Sequence, residues 1–216
     1  MDTMKEDFNG KTYWDEEYWN KKLNKEKVDF TEDNWIEKYR DILNAIHKGK
    51  ALDLGCGLGQ DTLFLTKEGF DVVSADISLR ALFELKKKCP NATTIQLDMT
   101  QKLPFEDATF DLVYANLSTH YYNKKDTMYL YNEVKRILKK GGYFIGRVNS
   151  DKTNQNVTAS FEKIEENYYF NKRYFRYFTK EQFDSLFLGW DIIVLQENKI
   201  ERWEKPKVLW EFIVRK

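Results

Sequence analysis

From residue 51 to residue 148 short apolar runs alternate with stretches of helical periodicity, and this alternation limits the fold more than any other feature of the chain. Residues 51–54, 71–75, 93–97, 110–115 and 143–148 read as strands. Between them, residues 62–68, 79–88 and 127–139 read as helices. Gly69 ends the first, Ser78 caps the second, and Gly141 with Gly142 stops the third. Two strands joined through a helix can run in the same direction only if the helix crosses a face of the sheet. The pattern therefore predicts an α/β fold, a Rossmann-like, mostly parallel sheet with helices on both faces. In such sheets ligands bind beyond the carboxyl ends of the strands.

Both flanks depart from the alternation. Trp35, Ile36, Tyr39, Ile42, Leu43 and Ile46 follow a helical period after a candidate N-cap at Thr31 or Asp33. Tyr13, Trp14, Tyr18 and Trp19 sit among charges and read as an earlier, aromatic helix, so an N-terminal helical extension is expected. Beyond Asn149 aromatic residues accumulate, with Phe161, Tyr168, Tyr169, Phe170, Tyr174, Phe175, Tyr177 and Phe178 in one stretch. Thr179 with Gln182 forms a capping box for a short helix through Phe187. Residues 191–196 and 207–214 read as two last strands, and the link between them is too short for a helical crossover, which predicts an antiparallel pair. The 216 residues are expected to form one domain: an N-terminal lid region (1–48), a core (49–150) and a substrate-side region with the last strands (151–216).

Charge narrows the function classes. Lys and Arg number 35 and so do Asp and Glu, a balance that argues against a surface dedicated to phosphate backbones or anionic lipid. Two cysteines, Cys56 and Cys89, make no disulfide framework. With only His47 and His120 beside them, no metal site is expected. The charged start is unlike a signal peptide, and no run approaches the roughly 20 apolar residues of a membrane span. A cytoplasmic protein, monomer or homodimer, is the expectation.

The stretch Leu52-Asp53-Leu54-Gly55-Cys56-Gly57-Leu58-Gly59 lies between an expected strand and an expected helix. Its glycines admit backbone conformations closed to other residues and let a ligand approach the main chain. The spacing is Gly-x-Gly-x-Gly, one residue shorter than the dinucleotide fingerprint. Asp76 closes the second strand, roughly 20 residues on, where an acid accepts hydrogen bonds from ribose hydroxyls. Asp98 closes the third strand, placed for an adenine amino group, and Asp53 precedes the glycines. A carboxylate at Asp53 repels a pyrophosphate and attracts an ammonium or a sulfonium, so the charge logic favours S-adenosylmethionine over NAD.

At these residues the chain resembles the class I S-adenosylmethionine-dependent methyltransferases. The resemblance covers about residues 40–148 and runs through five motifs in order: Ala-Leu-Asp-Leu-Gly-Cys-Gly-Leu-Gly, Val-Val-Ser-Ala-Asp-Ile-Ser, Leu-Asp-Met, Phe-Asp-Leu-Val-Tyr-Ala-Asn and Ile-Leu-Lys-Lys-Gly-Gly-Tyr-Phe. It implies a seven-stranded sheet whose last strand is antiparallel. It also implies that Gly55, Cys56, Gly57 and Gly59 line the methionine end of the cofactor and that Asp53 helps orient its ammonium group. Asp76 would take the ribose, Ile77 would pack on the adenine, Asp98 would accept from its amino group, the Met99 backbone would meet a ring nitrogen, and Asn116 would face the cofactor's centre. Cys56 stands where the family allows several small residues, and its side chain reads as apolar filler.

Methyl transfer needs alignment and exclusion of water, and a base only where the nucleophile arrives protonated. His120 is the base candidate, because its ordinary pKa suits proton transfer near neutrality, and Tyr121 is a second candidate or a wall of the pocket. Residues 116–119, Asn-Leu-Ser-Thr, lack the Pro-Pro-Tyr or Pro-Pro-Phe that amino-methylating DNA enzymes resemble one another in, and neither cysteine follows a proline as in cytosine-C5 enzymes. A small-molecule methyltransferase is therefore the first reading, against a nucleic-acid methyltransferase or a non-catalytic cofactor-binding regulator. Trp14 and Tyr18, four apart, share a face of an α-helix and are expected to approach the site as a lid, with Trp19 packing beside them.

Overall fold

The computed structural model describes residues 12–19, 23, 35–153, 158–201 and 206–216. The candidate caps Thr31 and Asp33 and the side chain of Tyr18 lie outside the described residues. The core begins with β1 (Lys50–Leu54), α2 (Gln60–Lys67), β2 (Asp71–Asp76), α3 (Leu79–Lys88) and β3 (Thr93–Gln96). It continues with β4 (Phe110–Asn116), α4 (Lys124–Ile137) and β5 (Leu138–Asn149). Before it come a π-helical segment (Tyr13–Trp19), a 3-10 turn (Trp35–Tyr39) and α1 (Arg40–Ala45). After it come β6 (Glu162–Glu165), β7 (Tyr168–Asn171), β8 (Arg173–Arg176), α5 (Lys180–Leu186), β9 (Asp191–Ile200) and β10 (Lys207–Arg215).

The main sheet has seven strands in the order β3-β2-β1-β4-β5-β10-β9. β3 to β5 pair in parallel, and β10 is antiparallel to both its neighbours. Strand order reverses between β1 and β4, so the carboxyl ends of those two strands flank the crevice in which such sheets bind ligands. Three of the expected helix stops and caps are present: Gly69 has φ 93°, Ser78 accepts from the Ala81 amide, and Thr179 and Gln182 close a capping box. The expected stop at Gly141 and Gly142 is not, because α4 ends at Ile137 and the chain passes straight into β5, which contains both glycines.

Both faces of the sheet are buried, by the period of two that strands impose. From β4, Val113 and Ala115 enter one core with Leu130, Val134 and Ile137 of α4 and Phe183 of α5. Leu112 and Tyr114 enter the other, with Trp35, Ile36, Leu43 of α1 and Leu65 of α2. Glu211, fully buried in β10, accepts from the Tyr39 hydroxyl at 2.8 Å, from Asn198 at 2.9 Å and from Lys38 at 2.6 Å. A buried carboxylate is stable only when compensated in this way, and this one ties the 3-10 turn to the sheet.

Two further segments differ from their sequence reading. The period expected for a helix over residues 35–46 begins as the 3-10 turn and becomes α-helical only at Arg40. The aromatic stretch beyond Asn149 forms an antiparallel three-stranded sheet, β6-β7-β8. Tyr168-Tyr169-Phe170 carries rings on both faces and so lacks the alternation that announces a strand. Its rings pair across the strands instead, Tyr168 stacking on Tyr174 at 5.2 Å.

Gly146 in β5 is a test of central packing. A Cβ there would lie 2.5 Å from the Phe212 ring and 2.7 Å from the Ala115 carbonyl oxygen. G146A is expected to lower stability by about 1–3 kcal/mol, read as a lower urea midpoint at unchanged slope.

Candidate active site

Beyond the end of β1 the chain turns through three left-handed glycines, Gly55 (φ 82°), Gly57 (φ 52°) and Gly59 (φ 83°). The Gly55 and Cys56 amides both donate to the Ala75 carbonyl, at 2.7 and 2.9 Å, which fastens the loop to β2. Each glycine makes room for something different. A Cβ on Gly55 would lie 2.3 Å from Cβ of Ser118, whose hydroxyl donates to the Leu54 carbonyl at 2.5 Å. A Cβ on Gly59 would lie 2.1 Å from Leu85, so this glycine serves the packing of α2 against α3. Among the described residues, a Cβ on Gly57 would meet only the Trp19 ring, at 3.2 Å. Cys56 is a free, buried thiol packed with Leu82, Leu85 and Ala92, and burial pushes its pKa well up.

Four carboxylates surround this loop. Asp53 is 1% exposed beneath it and accepts from the Thr62 hydroxyl at 2.6 Å. Burial raises its pKa well above the usual carboxylate range, and the charges of Asp61 and Asp76 add to that. Asp76 accepts from the Gly57 amide and the Ser78 amide, each at 2.9 Å, and burial raises its pKa too. Ile77, half-buried, follows Asp76, and its carbonyl accepts from Gln96 at 2.8 Å. Asp98 turns one oxygen to the Thr100 amide and hydroxyl, both at 2.8 Å. Met99 is buried, with its methyl group against Gly55. The fourth acid, Asp61 in the first turn of α2, was not singled out in the sequence. It accepts from the Asn116 amide at 3.0 Å, and the Asn116 oxygen accepts from Nε of the fully buried Arg147 at 3.0 Å. Asn116 thus bridges two opposite charges at the end of β4. Nothing in the spacing of residues 61, 116 and 147 announces this, because three different elements bring them together.

The segment after β4 enters the crevice through Leu117, at φ 57°, a left-handed conformation that costs a non-glycine residue of order 1–2 kcal/mol. His120 is 3% exposed. Burial, with the charges of Lys207 and Arg173, holds its pKa well below the ordinary value. The imidazole is therefore neutral and a poorer base than the sequence alone suggests. Arg176, also buried, fixes this segment: its amide donates to the His120 carbonyl at 2.8 Å and its Nε to the Tyr122 carbonyl at 2.9 Å. Its guanidinium is also paired with Glu165.

The N-terminal segment lies across the same end of the sheet. Trp14 meets the Tyr121 ring edge-on at 5.0 Å. Asp15 accepts from the Ser78 hydroxyl and, at 3.2 Å, from the Arg80 amide. Trp19 is buried against Leu58 and Ala81, with Trp14 beside it. Trp14 and Trp19, five apart, thus join one apolar cluster, and the side chain of Tyr18 lies outside the described residues. Phe175 faces Tyr121 at 6.0 Å from the other side. Among the described residues no group of three or more His, Cys, Asp or Glu side chains is placed to hold a metal ion.

Residues 52–146 match the family described as methyltransferase domain. An uncharacterized methyltransferase of Synechocystis is 39% identical over 95 residues, 44% of this chain and 44% of that protein. The human mitochondrial arginine-hydroxylase NDUFAF5 is 34% identical over 116 residues, 53% of this chain and 33% of that protein. The chain thus spans less than half the length of these curated relatives. Among solved structures, an S-adenosylmethionine-dependent methyltransferase of Methanosarcina mazei superposes with a TM-score of 0.73 at 19% identity, over 82% of this chain and 97% of that one. Residues 52–146 thus match the methyltransferase-domain family, and the chain shares the fold of a solved S-adenosylmethionine-dependent methyltransferase.

Proposed function

We propose that the chain transfers a methyl group from S-adenosylmethionine to a small-molecule acceptor. The observation that carries this reading is the set of acids Asp53, Asp61 and Asp76 around the glycine loop, where the charges of Asp61 and Asp76 oppose the ionisation of Asp53. A pyrophosphate placed there adds to the repulsion, whereas an ammonium and a sulfonium relieve it. The loop fits such a ligand, because among the described residues only the Trp19 ring stands within reach of an added Cβ at Gly57.

When bound, S-adenosylmethionine supplies a methyl group already activated by its sulfonium. Gly55, Cys56, Gly57 and Gly59 line its methionine end in this reading, with Asp53 acting through charge from beneath the loop. Asp76 takes the ribose hydroxyls, Ile77 and the Met99 backbone flank the adenine, and Asp98 accepts from its amino group. Asn116 is held rigidly between Asp61 and Arg147 at the cofactor's centre. Trp14, Trp19 and Tyr121 exclude water from the methyl group, and Tyr18 belongs to the same lid segment. His120, kept neutral, orients the acceptor by a hydrogen bond better than it removes a proton. The division of labour is a lid in residues 1–48, a cofactor core in 49–150 and an acceptor side in 151–216. Balanced charge and two free cysteines suit a cytoplasmic protein that is a monomer or homodimer.

Calorimetry on the full chain is expected to show binding of S-adenosylmethionine and of S-adenosylhomocysteine, with NAD much weaker; stronger NAD binding would overturn the reading. D76A is expected to weaken S-adenosylhomocysteine binding by about 1.5–3 kcal/mol, tenfold or more. W19A is expected to lower turnover while the far-ultraviolet circular dichroism stays unchanged. Asp53 also makes stability depend on pH. Its folded pKa is raised, so its contribution is most favourable below the ordinary carboxylate value of about 4 and declines as pH rises through the raised value. D53N removes that decline, so the stability gained by the variant in urea unfolding should grow from acid to neutral pH. A gain independent of pH would show that Asp53 does not titrate as described.

A further inference from the structure

We propose that Asp15 and Arg173 are the positioning residues of the lid. Asp15 fastens the segment Tyr13–Trp19 on the cofactor side of the crevice, Arg173 fastens it on the acceptor side, and the cofactor passes in or out only when the segment is displaced. The words cofactor and acceptor rest on the methyltransferase reading, whereas the two fastenings rest on contacts.

On the cofactor side, Asp15 accepts from the Ser78 hydroxyl and, at 3.2 Å, from the Arg80 amide. Ser78 caps α3, so the Asp15 carboxylate sits at the N-terminus of that helix, where the free amides and the helix dipole favour a negative charge. Asp76 is two residues before Ser78, and the charge of Asp15 acts on it. Trp19 holds the same side, buried against Leu58 and Ala81. On the acceptor side, Arg173 opens β8 and its guanidinium carbon lies among four rings. They are Phe175 at 4.6 Å, Trp14 at 5.5 Å, Tyr13 at 5.6 Å and Tyr121 at 5.9 Å. Arg173 also donates to the Tyr13 hydroxyl.

Two of the four rings belong to the lid, one to the segment after β4 and one to β8, so one side chain ties three segments together. The bond from the Arg176 amide to the His120 carbonyl keeps β8 beside the segment after β4, which gives the lid a fixed anchorage. Loss of one ring leaves the guanidinium on the other three, whereas loss of the guanidinium ends every contact at once. Between the two fastenings Trp14 meets Tyr121 edge-on at 5.0 Å and Trp19 stands over Gly57. The Gly57 amide is bonded to Asp76 at 2.9 Å. A ligand held by Asp76 and the bare backbone at Gly57 is therefore covered by the lid. Asp15 secures that cover against α3 and Arg173 secures it against β8, so weakening either one frees the segment to swing on the other.

The test uses the full chain. Hydrogen–deuterium exchange of the free protein, read on peptides covering residues 12–19, is expected to be at least about threefold faster in D15A and in R173M, at an unchanged thermal midpoint. D15N keeps an oxygen for Ser78 and Arg80, and R173K keeps a cation among the rings, so both should restore part of the protection. If R173M lowers the midpoint, Y13L, which takes a ring and the hydroxyl out of the cage, carries the same expectation. Stopped-flow measurements with S-adenosylhomocysteine should show association and release both quickened at least about threefold in each variant, because a lid gates passage in both directions. A residue that only touched the ligand would change release alone, and that result overturns the proposal. Exchange unaltered by D15A or by R173M overturns that fastening, and faster exchange with unchanged ligand rates overturns the control of passage. If exchange quickens as expected but the unsubstituted chain does not bind S-adenosylhomocysteine, the fastenings stand and the methyltransferase reading fails.

Discussion

The Ala75 carbonyl oxygen accepts two hydrogen bonds, from the amides of Gly55 and Cys56, and the geometry of the crevice depends on that fork. It fastens the glycine loop to the end of β2, one residue before Asp76. Asp76 then reaches back to the Gly57 amide, so loop and acid hold each other. Everything around the crevice takes its position from this closed circuit. Gly55 lets Ser118 sit on the loop, and Gly59 lets Leu85 of α3 press against the start of α2. Gly57 presents its bare backbone to Trp19. One loop thus sets the post-β4 segment, the packing of two helices and the approach of the N-terminal segment.

Charge is segregated across the crevice. Asp53, Asp61 and Asp76 gather at the loop, where burial makes Asp53 and Asp76 harder to ionise. His120, Arg173 and Lys207 gather on the other side, where burial and like charge keep the imidazole neutral. Between them the Asp61–Asn116–Arg147 bridge carries one charge of each sign at the end of β4. A low-dielectric interior makes such an arrangement expensive to leave uncompensated.

The roof over the sheet is made of two segments that are not part of the alternating core. The π-helical segment contributes Trp14, Asp15 and Trp19, and the small antiparallel sheet contributes Arg173, Phe175 and Arg176. They meet through the Arg173 guanidinium, which lies against Trp14 and Phe175 and donates to Tyr13. Arg176 anchors the small sheet to the backbone of the segment carrying His120 and Tyr121. Cation–ring contacts of this kind are individually modest, and here several share one guanidinium.

How much was legible beforehand follows from the range of the interactions. The strand–helix alternation, the Ser78 cap, the Thr179–Gln182 capping box and the antiparallel end of the sheet are local consequences of side-chain period and backbone geometry, so the sequence by itself determined them. The left-handed glycines and the acids at the strand ends were visible for the same reason. Asp61, Arg147, Arg173 and Lys207 were not, because their importance lies in pairings across 31 to 55 positions in the chain, or in the charge of residues on other elements. His120 shows the difference most directly. Its identity suggested a base near neutrality, and only the tertiary structure decided that it would be buried beside two cations and held neutral. Trp14 and Trp19 give the same lesson: they lie among charges in the sequence, and only the tertiary structure, by placing Leu58 and Ala81 beside them, decided what they pack against.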